Sequence, residues 1–255
     1  MFRSASIIIF LTFFFAATPF LRFFLWLYTV FFKSEKAKYQ KDLISLRIVQ
    51  WAFKVITFLA GVQLTVVGEE NVPTDEPVLF IGNHRSYFDI ILSYARCRGL
   101  TGYVSKKEIE KVPLLHGWMV DLYCLFLDRE DPKQGLKTVL QAIEQVKNGV
   151  SVAIYPEGTR YDKGVKSQPE GYDEPLLPFH EGSFKIALKS GCPIVPMTIC
   201  HSSEIFEDHL PWIRKTKVTL VYGKPVDTKS LTKEQQKQLA GTIRQDMIET
   251  YKKYL

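Results

Sequence analysis

The 255-residue chain has little cysteine and no cysteine pairing pattern. Its four cysteines occur singly, without a C-x-x-C pair, at Cys97, Cys124, Cys192 and Cys200. This spacing predicts neither a disulfide framework nor a thiolate metal site, so we expect reduced thiols that face the cytosol. The five histidines also lack the spacing of metal ligands. The sequence therefore predicts no metal site.

One segment near the C-terminal third combines histidines with acidic residues. His201 and His209 flank Glu204, Glu207 and Asp208. No H-E-x-x-H or similar metal-ligand spacing is present there. We therefore interpret this segment as a polar surface loop.

The chain also lacks the patterns of a nucleic-acid-binding protein. Its 33 Lys and Arg residues against 27 Asp and Glu residues give a net charge of +6, which suits a phosphate-bearing substrate or an anionic membrane surface. No run of basic residues interleaved with aromatics occurs, and no helix-turn-helix, zinc-finger or RNP-like pattern is found. We therefore exclude nucleic acid as a partner. The 46% apolar content is enough for the core of an α/β domain.

Charge is almost absent from the N-terminal segment. Between Ser4 and Phe32 the only charged residue is Arg22, and nine of the 18 phenylalanines lie in this span. Such a segment belongs in or on a bilayer. Pro19 and Arg22 interrupt it, so a spanning helix and a re-entrant hairpin both remain open. A cleaved signal peptide fits less well, because no A-x-A site is present and the apolar run continues to Phe32.

A second apolar stretch, residues 43–67, has a polar stripe. Arg47, Gln50 and Lys54 recur on one side of a helix, which predicts an interfacial amphipathic helix. A core helix that covers the sheet is the alternative. A basic cluster between the two apolar stretches, Lys33, Lys36, Lys38 and Lys41, predicts that the domain that follows faces the cytoplasm. We therefore divide the chain into N-terminal membrane-anchoring helices, 1–66, and a catalytic domain, 67–255.

The rest of the chain alternates between strand-like and helix-like runs, which indicates an α/β fold with helices flanking the sheet. The strand-like runs are 78–81, 102–105, 125–127, 150–155, 194–199 and 218–221. The helix-like runs are 90–98, 135–147, 182–189 and 233–251, the last after a capping box at Thr232 and Gln235. Residues 161–178 are rich in Gly, Pro, Asp and Glu and read as one exposed loop.

Three polar stretches follow strand-like runs: NHRSYFD at 83–89, FLDRE at 126–130 and YPEGTR at 155–160. In an open α/β sheet the strand ends converge on one edge, so these residues can share a crevice. His84 and Asp89 in the first stretch have two readings. They are a catalytic pair, or Asp89 completes the S-x-x-D capping box with Ser86.

Four ordered blocks resemble the lysophospholipid acyltransferases, most closely the bacterial 1-acyl-sn-glycerol-3-phosphate acyltransferases. His84 and Asp89 match the family's H-x-x-x-x-D motif, and SKKEIEKVPLLHG with FLDRE is similar to its second block. YPEGTR resembles the third block, and the V-P dipeptide in IVPMTI resembles the fourth. The resemblance covers residues 65–225. It implies a single acyltransferase domain with a mixed sheet, preceded by membrane-associated helices.

The resemblance implies transfer of an acyl chain from acyl-CoA or an acyl carrier protein thioester to the sn-2 hydroxyl of lysophosphatidic acid, giving phosphatidic acid. His84 would act as the general base, and Asp89 would fix its tautomer. No G-x-S-x-G elbow occurs, which favours direct attack over an acyl-enzyme. The thioester is a co-substrate, and the scheme requires no cofactor and no metal. The implied partners are the bilayer, the lysophospholipid acceptor and the thioester donor.

Four cations, Lys106, Lys107, Arg129 and Arg160, are the candidates for binding the substrate phosphate. Glu157 and Thr159 either hold the glycerol end or shape the turn, in which Gly158 permits a close backbone approach. His116 and His180 have no such context, so we interpret both as structural. The loop after Arg160 is longer than the family leads us to expect and carries Glu170, Asp173 and Glu174.

Three other functions remain open from the sequence. The enzyme could act on a different lysophospholipid. The chain could be a non-catalytic membrane module that binds anionic lipid through the same basic residues, with His84 and Asp89 only capping a helix. It could also be a hydrolase in which His84 activates water against a lysolipid ester.

Overall fold

A seven-stranded mixed sheet forms the centre of the protein in the computed structural model, which describes residues 2–161 and 174–255. The strands lie in the order β1-β7-β6-β2-β5-β3-β4. All neighbours are parallel except β6 and β7, which are antiparallel. The strands are β1 Gln63–Val67, β2 Leu79–Gly82, β3 Thr101–Lys106, β4 Leu125–Leu127, β5 Ser151–Ile154, β6 Ile194–Cys200 and β7 Lys217–Tyr222. The predicted mixed sheet is confirmed.

Helices cover both faces of the sheet. They are α1 Phe2–Phe31, α2 Glu35–Ala60, α3 Tyr87–Tyr94, α4 Leu115–Asp121, α5 Pro132–Lys147, α6 Lys185–Ser190 and α7 Lys233–Lys253. One apolar cluster packs the first four helices, α1, α2, α3 and α4, against one face of the sheet. Leu46, Leu92 and Trp118 are among its buried members. A second cluster joins α5, α6 and α7 to the other face. A sheet that is buried on both faces explains why its central strands read as unbroken apolar runs.

All six predicted strands are present, but β1 is missing from the prediction. Its residues belong to the apolar stretch that we assigned to a helix up to Val67. The helix instead ends at Ala60, because Gly61 adopts a left-handed conformation with φ of 71° that closes it. The chain then forms β1, which pairs in parallel with β7. The sheet therefore begins at Gln63, before the position at which we placed the start of the catalytic domain.

The predicted exposed loop at 161–178 is buried at both of its ends. Residues 162–173, including Glu170 and Asp173, lie outside the described residues. Tyr161 is buried, as are Leu176 and Leu177 on the other side. The Arg85 guanidinium lies 4.0 Å from the Tyr161 ring and also donates a hydrogen bond to the Pro175 carbonyl. One buried arginine thus holds both ends of the segment.

The two N-terminal helices are long and apolar enough to cross a membrane by length and composition. Helix α1 is attached to the sheet domain along one side. The backbone N–H of Ile213 donates to Ser4 Oγ at 2.9 Å, Trp118 Nε1 donates to Thr18 Oγ1 at 3.1 Å, and Arg22 pairs with Asp121. These contacts span roughly 27 Å of helix at 1.5 Å per residue. The opposite side of α1 exposes phenylalanine side chains, Phe13, Phe20, Phe23, Phe24 and Phe31, and Trp26 is exposed at the flank of the helix.

Candidate active site

The NHRSYFD stretch forms the connection from β2 to α3. Ser86 is the N-cap residue of α3, and its Oγ accepts a hydrogen bond from the N–H of Phe88 at 3.0 Å. Asp89 Oδ2 accepts in return from the N–H of Ser86 at 2.7 Å, which completes the capping box. The same oxygen accepts from the N–H of Arg85 at 2.6 Å. The capping interpretation of Asp89 therefore describes its local structure correctly.

Asp89 also contacts the His84 imidazole. The distance from His84 Nδ1 to Asp89 Oδ2 is 2.9 Å, and the Asp89 side chain is fully buried. A carboxylate can only accept, so Nδ1 carries the proton in this contact and Nε2 has a free lone pair. The His84 side chain is 15% exposed. One carboxylate thus caps α3 and orients a histidine whose outer nitrogen can act as a base.

A tyrosine that the sequence reading did not single out supports the imidazole. The Tyr155 ring is stacked on the His84 ring, with centroids 4.4 Å apart and planes inclined by 18°. Burial raises the pKa of Tyr155 well above its ordinary value of 10.0, so the phenol stays neutral. Gly82 makes room for this ring, because a Cβ at that position would lie 2.7 Å from Tyr155 Cε1. The stack and the Asp89 contact together fix the plane of the His84 ring.

Glu157 holds two segments of backbone together. Its Oε1 accepts from the N–H of His84 at 2.6 Å, and its Oε2 accepts from the N–H of Leu177 at 2.8 Å. The residue is 5% exposed, and burial raises its pKa to about 7. Both oxygens therefore have backbone partners. These contacts favour the second of its two predicted roles, the shaping of the turn.

The glycine of YPEGTR adopts a left-handed backbone conformation that residues with a side chain rarely take. Gly158 has a φ of 71°, and a Cβ there would come within 2.9 Å of His180 Nε2. His180, which we interpreted as structural, therefore lies beside the turn, and its N–H donates to the Pro156 carbonyl at 2.9 Å. Thr159 is exposed at the same turn. The close approach predicted for Gly158 is thus made by a protein side chain.

Arg160 lies over the start of α3. Its Cζ is 4.0 Å from the centroid of the Tyr87 ring, and its Nη1 is 3.3 Å from Glu207 Oε1. Glu207 also accepts from Ser86 Oγ at 2.6 Å and from the N–H of Tyr87 at 2.8 Å. We predicted that Glu207 belongs to a polar surface loop, yet its side chain is only 17% exposed. Its partners at 86, 87 and 160 are too distant in sequence for spacing to reveal the contact.

The other three predicted phosphate ligands lie farther along the same edge of the sheet. Lys106 ends β3, Lys107 follows it, and Arg129 follows β4. Strand β5 lies between β3 and β2, and β2 is the strand that leads to His84. At 4.8 Å per strand, the end of β3 is therefore roughly 10 Å from the end of β2. Lys106 pairs with Glu108 at 2.8 Å and Lys107 with Asp128 at 3.1 Å. Within the part of the chain that the structure describes, no hydrogen bond or ion pair joins these three cations to His84.

Comparison with known proteins identifies the family. The family model described as Acyltransferase matches residues 63–200. The chain is similar to a 1-acyl-sn-glycerol-3-phosphate acyltransferase of Saccharomyces cerevisiae, at 31% identity over 80% of this chain and 67% of that protein. It is also similar to a protein of the same name from Borreliella burgdorferi, at 24% identity over 80% of this chain and 78% of that one.

A solved structure has the same fold. The crystal structure of the 1-acyl-sn-glycerophosphate (LPA) acyltransferase PlsC from Thermotoga maritima superposes with a TM-score of 0.72 at 22% identity, over 98% of this chain and 97% of that chain. The likeness extends over the N-terminal helices as well as the sheet. The four sequence blocks that suggested the family all lie on this shared fold. With its family model, its curated relatives and this fold in agreement, the chain belongs to the acyltransferase family.

Proposed function

We propose that the protein transfers an acyl chain from a thioester, acyl-CoA or acyl carrier protein, to the sn-2 hydroxyl of lysophosphatidic acid. The product is phosphatidic acid, a precursor of membrane phospholipids. The observation that carries the proposal is the contact of His84 Nδ1 with the buried Asp89 carboxylate at 2.9 Å. It leaves Nε2 free to take a proton. The names of the relatives supply the acceptor.

The chemistry requires one base that later becomes an acid. His84 Nε2 accepts the proton of the acceptor hydroxyl while the hydroxyl oxygen attacks the carbonyl carbon of the thioester. The resulting tetrahedral intermediate collapses, the C–S bond breaks, and the thiolate takes the proton back from the imidazolium. Asp89 stabilises the imidazolium between these two steps. A base of this kind contributes roughly a hundred- to ten-thousandfold in rate.

Arg160 is the best placed of the four predicted cations to bind the acceptor phosphate. It follows the same turn as Glu157, whose carboxylate holds the N–H of His84. A guanidinium has five N–H donors and can bind a phosphate monoester through two of them. Lys106, Lys107 and Arg129 lie along the same edge and add positive charge there. We propose that these three attract the phosphate through their charge at longer range, whereas Arg160 contacts it directly.

The N-terminal helices bring the site to its lipid substrates. Helix α1 is fixed to the sheet domain on one side and exposes aromatic side chains on the other. We propose that this aromatic side enters the bilayer, so that the catalytic domain rests on the membrane surface. The basic cluster at the junction of α1 and α2, Lys33, Lys36, Lys38 and Lys41, supports a cytoplasmic orientation of that domain. A lysolipid could then reach His84 without leaving the membrane.

A labelled-donor assay tests the proposal. The full chain in membranes is given radiolabelled acyl-CoA or acyl carrier protein thioester, with and without lysophosphatidate, and the lipids are separated. We expect labelled phosphatidate that depends on lysophosphatidate and is lost in His84→Ala. Free labelled fatty acid without an acceptor product would show a thioesterase, and release of the acyl chain from lysophosphatidate would show a lysolipid hydrolase. Binding without turnover would show a non-catalytic module.

A panel of lysolipid headgroups resolves the acceptor. Lysophosphatidate should be used with the highest kcat/KM, because a phosphate monoester matches the guanidinium of Arg160. Preference for a lysophospholipid with a substituted phosphate would refute the assignment of the acceptor while keeping the acyl transfer.

A further inference from the structure

Glu207 connects the predicted base to the predicted phosphate ligand. A continuous chain of contacts runs from His84 Nδ1 to Asp89 Oδ2 at 2.9 Å, and from there to the N–H of Ser86 at 2.7 Å. The Ser86 hydroxyl then donates to Glu207 Oε2 at 2.6 Å, and Glu207 Oε1 reaches Arg160 Nη1 at 3.3 Å. None of the four family blocks contains Glu207, which lies between β6 and β7.

We propose that Glu207 is a positioning residue that fixes Arg160 relative to His84 and thereby sets the affinity for the acceptor phosphate. The inference rests on the proposed transfer to lysophosphatidic acid. The acceptor must present its hydroxyl at His84 while its phosphate is bound, so the separation of the two protein groups decides whether both contacts form at once. Glu207 holds the start of α3 and the guanidinium with one carboxylate.

The bond lengths show which partner holds Glu207 more firmly. Its contacts with the Ser86 hydroxyl and the Tyr87 N–H are 2.6 and 2.8 Å, whereas its contact with Arg160 is 3.3 Å. The carboxylate therefore belongs to the start of α3, where the N-terminal end of a helix favours a negative charge. Arg160 contacts it through one of five N–H donors, which leaves others for a phosphate.

Tyr87 completes the support of the guanidinium. The Arg160 Cζ lies 4.0 Å from the centroid of the Tyr87 ring, so a π-face limits the guanidinium on one side while Glu207 directs its Nη1. The Arg160 side chain is 37% exposed, so solvent and substrate can reach it. A long, flexible side chain that is restrained at two points loses less entropy when it binds a phosphate.

The alternative role for Glu207 gives the opposite prediction. Its carboxylate could occupy the place of the phosphate in the free enzyme, since a hydroxyl, a helix N–H and an arginine all point at it. In that case the acceptor would have to displace it, and removing Glu207 would lower the KM for lysophosphatidate. The two short bonds to α3 favour a carboxylate that stays in place. The sign of the change in KM separates the two roles.

The test compares Glu207→Ala with its neighbour Asp208→Ala as the matched control. Asp208 accepts a hydrogen bond from Ser203 Oγ at 3.0 Å, away from α3. Initial rates of phosphatidate formation give kcat and KM for lysophosphatidate and for acyl-CoA with the full chain. We expect Glu207→Ala to raise the KM for lysophosphatidate roughly tenfold, the effect of losing one hydrogen bond to a charged group. Its KM for acyl-CoA and its kcat at saturating lysophosphatidate should change little. Asp208→Ala should match the wild type.

A double variant shows whether Glu207 acts through Arg160. In an Arg160→Ala background, Glu207→Ala should add little to the KM for lysophosphatidate, because the group that it positions is gone. Glu207→Gln should retain most of the wild-type affinity, because an amide oxygen can take the Oε1 position. If Glu207→Ala does not accumulate as a folded protein, Glu207→Asp carries the test. Its shorter side chain cannot reach both α3 and Arg160, so the KM must again rise with kcat retained.

The contrary outcomes separate the positioning role of Glu207 from the proposed function. An unchanged or lowered KM for lysophosphatidate in Glu207→Ala refutes the positioning role. A full additional rise in the Arg160→Ala background also refutes it. Absence of transfer to lysophosphatidate by the wild-type protein instead refutes the proposed function, so the two failures are distinguishable.

Discussion

Replacing Asp89 with asparagine separates the two tasks of this carboxylate. Its Oδ2 accepts from the backbone N–H groups of Arg85 and Ser86 and also contacts His84. An asparagine can place its amide oxygen at the same position and keep the two backbone bonds. Its NH2 group would then take the place of Oδ1, which has no partner among the described residues. Asp89→Asn should therefore keep the start of α3 while it removes the negative charge beside His84.

The size of the effect follows from the contact. A hydrogen bond between an imidazolium and a carboxylate contributes about 1.5 to 3 kcal/mol. The imidazolium exists only after the hydroxyl proton has been transferred, so the loss falls on the transition state rather than on the bound substrate. This corresponds to a rate reduction of roughly 10- to 150-fold. His84→Ala removes the base itself and should cost roughly a hundred- to ten-thousandfold.

The assay measures the initial rate of phosphatidate formation together with thermal unfolding of the same preparation in detergent. Thr232→Ala is the matched control, because Thr232 forms the same kind of capping box at the start of α7. Loss of that cap should cost about 0.5 to 2 kcal/mol of stability and leave the rate unchanged. Asp89→Asn should show the reverse pattern, with a large loss of rate and a small change in Tm.

The double variant gives a further check. If Asp89 acts through His84, Asp89→Asn combined with His84→Ala should be no slower than His84→Ala alone. A near-normal rate in Asp89→Asn, together with a fall in Tm like that of Thr232→Ala, would show that Asp89 is only a cap. The catalytic interpretation of His84 and Asp89 would then be wrong.

Three more changes test other parts of the molecule. Arg160→Lys should raise the KM for lysophosphatidate roughly ten- to a hundredfold before it affects that for acyl-CoA, because lysine cannot bind a phosphate bidentately; the opposite order would assign Arg160 to the donor. Burial raises the pKa of Glu157 to about 7 from 4.5, so its contribution to stability is present below pH 4.5 and is lost as the pH rises through 7. Between pH 5 and pH 8 the free energy of unfolding of the wild type should therefore fall by up to about 3 kcal/mol relative to that of Glu157→Gln, which is measured as a larger fall in Tm. Equal changes in Tm for the two proteins would contradict the raised pKa of Glu157. Removal of residues 1–33 should detach much of the enzyme from membranes and reduce activity on bilayer lysophosphatidate more than on a short-chain soluble analogue. Full release with unchanged activity on both would refute the anchoring role.

Local patterns predicted the elements of the fold well. The capping boxes at Ser86 and at Thr232 are present, because each is a contact between residues three apart. The six predicted strands are present, because continuous apolar runs mark strands that are buried on both faces. Strand β1 was missed for the same reason, since its residues continue the apolar run of the preceding helix and only the conformation of Gly61 separates the two.

The sequence predicted the contact of the candidate site that joins nearby residues and missed the contacts that join distant segments. His84 and Asp89 lie five positions apart, on either side of one helix start, so their spacing could suggest the contact. Glu207 meets Ser86 across 121 positions, and nothing in the sequence around Glu207 distinguishes it from a surface acid. The grouping of Lys106, Lys107 and Arg129 with Arg160 was predicted from the family resemblance and from strand ends. It did not include the strand order, which places β5 between them and His84.

The sequence by itself determined most of the strands and helices, though not β1 and α4, together with the family and the spacing of His84 and Asp89, because these depend on periodicity and on short spacings that any one segment contains. The tertiary structure alone decided that Tyr155 stacks on His84, that Glu157 holds the backbone of His84 to that of Leu177, and that Glu207 links α3 to Arg160. Each of these contacts joins segments that the strand order brings to one edge of the sheet. Pairing between distant strands depends on the packing of the whole core, and no local stretch of sequence carries that information.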